Sequence, residues 1–138
     1  MAQSQLVTNE GIGELNKLWH GTAATKMSKI VCLEKATTCT AAVGSTFAAP
    51  ADTSPHHTDS GLAIAAIATA ALGTTNAVGD TFLFDHVFTA SATKNVNGIH
   101  TCNEDGDVTF VECCFNAVVA VENTDTITID GEVVVDQA

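Results

Sequence analysis

The most constraining feature of this sequence is a strict alternation of apolar and polar residues near its C-terminal end. Between residues 126 and 135, four branched aliphatic residues stand at odd positions and four polar residues at even ones: Ile127, Ile129, Val133 and Val135 against Thr126, Thr128, Asp130 and Glu132. A period of two is typical of a half-buried β-strand. Residues 108–115 form a second such run, and residues 122–125 supply turn chemistry between them. The pattern predicts two antiparallel strands joined by a short connection, which must pack on the rest of the chain.

Other segments indicate further strands. Residues 81–89 place one aromatic-rich face on a strand: Phe82, Phe84, His86 and Phe88. Residues 28–34 and 92–101 have the composition of shorter strands. The run 62–72 is ambiguous, because its alanines favour helix whereas its branched residues favour strand. We interpret it as a strand.

One segment near the N-terminus has the pattern of an amphipathic helix. Thr8 or Asn9 can cap a helix over residues 8–20, and Gly21 is suited to end it. Its apolar positions share one face: Ile12, Leu15, Leu18 and Trp19. Trp19, the single tryptophan, is the expected anchor of this helix in the core.

These segments predict a fold that is mainly β. We expect a β-sandwich of about six or seven antiparallel strands, over residues 28–135, preceded by one short N-terminal helix at residues 8–20. A chain of 138 residues makes a single domain, so residues 1–138 are treated as one β-rich unit.

The charge balance excludes several kinds of partner. Five lysines, no arginine and sixteen acidic residues give a net charge of −11, so we expect no nucleic-acid binding, which needs a basic face. We also expect no membrane partner, because the longest apolar run, 62–72, is too short to span a bilayer. Residues 1–5 lack the features of a secretory signal, which predicts synthesis in the cytoplasm of a host.

The five cysteines do not form a metal-binding pattern. Cys32, Cys39, Cys102, Cys113 and Cys114 include no Cys-x-x-Cys spacing. Cys32, Cys113 and Cys114 are interpreted as small apolar strand residues, with disulfides between subunits as the alternative for the five cysteines. Adjacent Cys113 and Cys114 must point to opposite faces of a strand, so one of them can reach another strand or another subunit.

Histidines and acidic residues give no clear catalytic pattern. His56 and His57 lie in a proline-flanked loop and are interpreted as solvated, with a metal site as the alternative. His86 is expected to be a core histidine with a hydrogen-bond partner. Residues 103–107 are interpreted as an acidic hairpin turn, since they lack the spacing of a calcium loop. We therefore predict no catalytic residues, no cofactor, no resident metal and no enzymatic activity.

The chain also resembles a group of small phage proteins described as tail-fibre-like. The resemblance covers nearly the whole chain and rests on fold-keeping positions such as Val7-Thr8-Asn9, Ser60-Gly61-Leu62-Ala63, Gly79-Asp80-Thr81-Phe82, Cys113-Cys114-Phe115 and the run 125–129. It implies a virion structural protein. The expected role is capsid decoration or cement, with a tail- or baseplate-attached protein and a small ligand- or metal-binding module as alternatives.

The implied partners are other copies of the chain and a particle protein. The alanine-rich run 62–72 offers a flat surface for close approach by another chain, which favours a closed symmetric oligomer, here a trimer. The major capsid protein or a tail protein would be the second partner.

Overall fold

The protein folds as a sandwich of two antiparallel β-sheets with one α-helix. The computed structural model describes residues 3–74 and 78–134, and the predicted fold class is confirmed. Eight strands and the helix occur in this order: β1 (Ser4–Val7), α1 (Asn9–His20), β2 (Lys29–Leu33), β3 (Ala65–Ala66), β4 (Thr69–Thr74), β5 (Val78–Thr89), β6 (Lys94–Cys102), β7 (Thr109–Val121) and β8 (Thr126–Val134). A single 3₁₀ turn covers Ala51–Thr53.

The two sheets differ in size. The five-stranded sheet has the order β1-β7-β6-β2-β3, and the three-stranded sheet has the order β4-β5-β8. Between them lies the main core, which includes Phe84, Phe88 and Ile127 from the small sheet and Ile30, Val96 and Ile99 from the large one. The predicted aromatic face of β5 therefore points into the sandwich.

The predicted hairpin between the last two strands is wrong. β7 and β8 lie in different sheets, and the turn at residues 122–125 carries the chain from one sheet to the other. β8 pairs instead with β5 over nine residues, where Phe88 lies opposite Ile127 and His86 opposite Ile129. The alternation of β8 determines its buried face but not its partner, and β5 presents the larger apolar face.

The alanine-rich run forms strand, but in two pieces. β3 closes one edge of the large sheet and β4 forms an edge of the small sheet, with only Ile67 and Ala68 between them. The chain thus crosses between sheets at this edge, which brings β3 and β4 side by side.

The predicted helix is present with its predicted ends. Thr8 caps it by accepting a hydrogen bond from Gly11 N–H at 3.2 Å, and Gly21 ends it in the left-handed region at φ 76°. The sequence interpretation missed the strand before it: β1 is a four-residue edge strand that pairs with β7.

Candidate functional site

Helix α1 is fastened to the sandwich by a close backbone contact. Gly11 is buried against β7, and a Cβ atom at this position would lie 2.8 Å from the carbonyl oxygen of Phe110. Only glycine permits this approach without a shift of the backbone. The residue that weakens the helix in isolation is therefore the one that lets it dock.

Polar side chains complete the attachment of α1. The Glu10 carboxylate accepts a hydrogen bond from the Thr109 N–H at 2.7 Å. The Thr8 hydroxyl donates to the Thr109 carbonyl. Glu14, which is buried, accepts from the Thr25 N–H at 2.7 Å. The contacts that hold the helix in place thus come mainly from polar groups and glycine.

The apolar side of α1 is left in solvent. Four large apolar side chains are exposed, by 46%, 37%, 65% and 74% respectively: Ile12, Leu15, Leu18 and Trp19. We call these four residues the α1 surface. The prediction that Trp19 anchors the helix in the core is wrong, because the helix meets the sheet through Gly11, which lies against Phe110 of β7. Several exposed apolar side chains on one short helix are typical of an interaction site.

The outer face of the large sheet is covered by the segment between β2 and β3. A disulfide joins Cys39 in this segment to Cys114 on β7. Both half-cystines are fully buried, together with Leu33, in a second small core. Cys114 is therefore neither a free apolar strand residue nor a link between subunits; it reaches another segment of its own chain.

The other three cysteines are free and buried. Cys32 and Cys113 belong to the main core, and Cys102 lies at the end of β6. Burial raises the pKa of the Cys32 and Cys102 thiols to about 12. It also raises the pKa of Cys113, against a hydrogen bond from Gln3 that lowers it. The thiols are thus protonated at neutral pH, so none is an activated nucleophile. Cys113 and Cys114 point to opposite faces, as predicted.

The buried carboxylate of Glu112 attaches the segment between β2 and β3, here called the covering segment, to the large sheet at a second point. Glu112 is fully buried on the outer face of β7. Its Oε1 accepts from the Ala42 N–H and the Ser45 hydroxyl, each at 2.9 Å. Its Oε2 accepts from the Ala51 N–H at 3.0 Å and from the Nε2–H of His100. One carboxylate thus ties three points of the segment to β6 and β7.

The network continues to the surface through a second histidine. His100 Nδ1 lies 3.0 Å from Nε2 of His56, and Phe47 stacks on the His56 ring with centroids 4.2 Å apart. Burial, followed by the neighbouring His100, lowers the pKa of His56 to about 4. Burial alone would raise the pKa of Glu112, but the hydrogen bonds from His100, Ala42 and Ala51 outweigh it and hold the pKa below its ordinary value.

The geometry of Glu112, His100 and His56 is that of an internal hydrogen-bonded network and not of an open site. Every oxygen of the carboxylate is used within the chain, and His100 is fully buried. The sequence interpretation missed it. The available signal was a charged residue, Glu112, in an otherwise apolar strand, which requires buried partners.

The predicted solvated histidine loop is also wrong. His57 is 2% exposed; its Nε2 lies 2.9 Å from the Asn95 carbonyl oxygen and its Nδ1 lies 3.5 Å from a Glu34 carboxylate oxygen. His56 is half-buried in the network above. The loop has so few apolar residues that its histidines supply packing and hydrogen bonds as well as polarity.

The acidic segment 103–107 and His86 are the other positions for which the sequence predicted a role. Residues 103–107 connect β6 to β7 as a hairpin turn, in which the Asn103 side chain accepts from the N–H groups of Asp107 and Val108. His86 lies on the aromatic face of β5, with its ring 4.5 Å from that of Phe88. Within the part of the chain that the structure describes, its Nδ1 has no hydrogen-bond partner, contrary to expectation.

Among residues 3–74 and 78–134, no three His, Cys, Asp or Glu side chains are grouped to hold a metal ion. Nor does any helix in that part of the chain have the length and apolar character to cross a membrane. Comparison with known proteins adds no relative: no family model, curated protein or solved structure matches this chain.

Proposed function

We propose that this protein is a non-enzymatic structural subunit on the exterior of a tailed-phage-like particle, where it acts as a capsid decoration or cement protein. It stabilises the shell through contacts with a particle protein and with symmetry-related copies of itself. The observation that carries the proposal is the α1 surface, where four large apolar side chains, including Trp19 at 74%, face solvent.

The construction of α1 supports a role in docking. Gly11 and Glu10 hold the helix against β7 while the apolar side chains remain available. Tryptophan is among the side chains that most often dominate binding energy at protein interfaces. A pre-positioned helix also loses little conformational entropy on binding. The particle protein, a major capsid or tail protein, would cover this surface.

A second region supports self-association. β3 and β4 are edge strands on the same side of the sandwich, and they carry small exposed residues such as Ala66, Ala70 and Ala71. Leu72, next to them, is 74% exposed. Small side chains allow the close approach of another edge, and a threefold arrangement matches the local threefold positions of an icosahedral shell.

The alternative of a ligand-binding module draws less support from its two candidate segments. His57 Nε2 lies within hydrogen-bond distance of the Asn95 carbonyl oxygen, and the Asn103 side chain accepts from Asp107 and Val108 N–H. A tail or baseplate location uses the same α1 surface and differs only in the partner. The binding experiment below therefore includes both kinds of particle.

The test measures binding of the purified protein to undecorated capsids and to isolated tails. We expect saturable binding to capsids, and a threefold mass in solution at physiological salt. Trp19→Asp together with Leu18→Asp should abolish capsid binding while the monomer remains folded, because both side chains are already exposed.

The matched control is Val87→Asp, which introduces a charge at an apolar residue that is 52% exposed on the small sheet. This variant should bind normally. Binding to tails alone would move the protein to the tail, whereas binding to neither particle would overturn the proposal. Equal losses in the α1 and Val87 variants would show that the α1 surface is not the contact.

A further inference from the structure

The two sheets of the sandwich have different numbers of strands, and this difference leaves part of the inner face of the five-stranded sheet uncovered. The edges β3 and β4 lie side by side, so the strands of the two sheets can be matched from that edge. The small sheet ends at β8 after three strands, while the large sheet continues through β7 to β1. Within the described residues, no strand of the small sheet covers the inner face of β1 and the adjoining part of β7.

A cleft of about 510 Å³ lies at this position. Its walls come from β1 and β7 on one side and from β8 on the other, and its apolar lining includes Val7, Val111, Phe115, Ile129 and Val133. This volume is within the range of sites that bury ligands. Part of its wall consists of residues that belong to or pack against the main core, such as Phe84, Ile99 and Cys113, so an occupant would extend that core.

The border of the cleft is the edge of a long strand. β8 pairs with β5 on one side and has no strand partner on the other among residues 3–74 and 78–134. An unpaired strand edge is a template for an added strand. The part of β8 that lines the cleft, from Thr128 to Val134, is about 23 Å long, enough to pair with about seven residues.

The charges along β8 determine which kind of added strand could pair favourably with it. Asp130 and Glu132 are exposed on the outer face of β8, and Asp85 stands directly opposite Asp130 on β5. An antiparallel pairing of β8 with β8 of a second copy would bring these carboxylates together, on chains that each carry a net charge of −11. Opposite charges in cross-strand pairs are favourable, and like charges are unfavourable.

We propose that the cleft between β1 and β8 accepts an extended segment of a different protein, in which apolar residues alternate with lysine or arginine. The segment adds a fourth strand to the small sheet beside β8. Its apolar side chains enter the cleft towards Val111 and Phe115, and its basic side chains lie beside Asp130 and Glu132. This site is separate from the α1 surface and goes beyond the proposed particle contact.

The first experiment uses a capped peptide of about seven residues that alternates valine and lysine, with affinity measured by calorimetry against the full-length protein. We expect saturable 1:1 binding. A valine–glutamate peptide of the same length should not bind. A third peptide keeps the lysines but has proline at alternate positions; it lacks every second N–H donor and disfavours a regular paired strand, so it should also fail to bind.

Variants separate cleft binding from general attraction to an acidic protein. Asp130→Lys should weaken binding about tenfold, because it exchanges a favourable cross-strand pair for an unfavourable one. Asp105→Lys, in the exposed β6–β7 turn, changes the net charge equally and should have little effect. Gln5→Trp fills the cleft from an exposed position and should abolish binding, whereas Val87→Trp on the outer face should not.

Cys113 supplies a readout at the site itself. It lines the cleft and is 9% exposed, whereas the other free thiols, Cys32 and Cys102, are fully buried. Slow alkylation of Cys113 should be suppressed by the valine–lysine peptide and not by the proline-containing one.

Several outcomes would overturn this inference. Equal binding of the lysine and glutamate peptides, or equal losses in the Asp130 and Asp105 variants, would leave no role for the charges of β8. A dimer that Gln5→Trp dissociates would show that a second copy fills the cleft. Protection of Cys113 by a fatty acid but by none of the peptides would identify a small apolar ligand instead.

Discussion

The two faces of β7 are held in opposite ways, and the adjacent residues Cys113 and Cys114 mark the difference. Cys114 points outward into a second core, where the disulfide to Cys39 and the Glu112 network close the structure. Cys113 points inward, stays reduced and lines an open cleft. The outer face is thus sealed by covalent and polar bonds, while the inner face at the same strand relies on apolar packing that is incomplete.

This contrast shows that cross-links stabilise the outer face of β7, whereas the inner face retains accessible surface. A segment with little regular structure cannot bury much apolar area, so it needs cross-links and buried hydrogen bonds. The sandwich proper has enough apolar area to leave part of one face uncovered.

The largest effect is expected from removal of the disulfide. The double variant Cys39→Ala/Cys114→Ala releases a loop with a sequence separation of 75 and should lower the free energy of unfolding by about 4 kcal/mol. Urea denaturation under oxidising conditions measures it. Cys113→Ala is the control on the other face, where the loss should be far smaller. Similar losses at both positions would contradict the comparison.

Glu112→Gln should lower the free energy of unfolding by about 3 kcal/mol, because it replaces a buried carboxylate that accepts from His100 and leaves donors of the segment between β2 and β3 poorly matched. Thermal and chemical unfolding both report this loss. Glu104→Gln removes an exposed ion-pair partner of Lys29 and should change stability only slightly. A mild effect of Glu112→Gln would mean that the amide satisfies the same donors.

The two glycines of α1 provide a matched pair. Gly11→Ala should cost about 2 kcal/mol, since its Cβ would lie 2.8 Å from the Phe110 carbonyl oxygen. Gly13→Ala meets nothing within 4 Å and should stabilise the protein by about 0.5–1 kcal/mol through helix propensity. Calorimetric melting of both variants tests the docking of α1. Two changes of the same sign would refute the backbone contact.

Acidification should lower the free energy of unfolding by a smaller amount, through the histidine network on the outer face of β7. The pKa of His56 is about 4 in the folded protein and 6.5 in the unfolded chain, so protonation of the unfolded chain favours unfolding as the pH falls from 6.5 towards 4. Allowing for the partial exposure of His56, we expect a loss of about 1 kcal/mol over this range.

The lowered pKa of Glu112 acts in the same direction below its ordinary value of 4.5. Melting temperatures between pH 7 and 4 measure both contributions. His56→Gln should flatten the dependence between pH 6.5 and 4.5, and an unchanged slope in this variant would assign it to other groups.

Trp19→Ala should have the smallest effect on the isolated chain, about 0.5 kcal/mol or less, because the side chain is 74% exposed. Equilibrium unfolding of the purified chain is the measurement. A loss as large as that of a core tryptophan would place Trp19 in a contact within the chain.

Sequence reasoning predicted the elements whose signals are local. The alternation from Ile127 to Val133 and the aromatic face of Phe82, Phe84 and Phe88 define buried strand faces without knowledge of any partner. Thr8 and Gly21 define the ends of α1 through hydrogen bonds and backbone conformation within a few residues. These features need no tertiary information.

The errors concern relations between distant residues. The choice of β5 rather than β7 as the partner of β8 depends on the packing of whole sheets. Trp19 is exposed because Gly11 touches Phe110, a contact across about a hundred residues. Glu112 meets His100 only in the register of β6 and β7, and five cysteines allow many pairings besides Cys39 with Cys114.

The position of the disulfide also determines how the chain responds to mechanical load. A force applied at the two ends of an oxidised chain passes from Cys39 directly to Cys114, so the intervening segment stays a closed ring even after every strand has separated. With a sequence separation of 75, the cross-link withholds about 250 Å of contour length from extension. Reduction would release that length in one step. The oxidised chain would therefore stretch far less under load than its length implies.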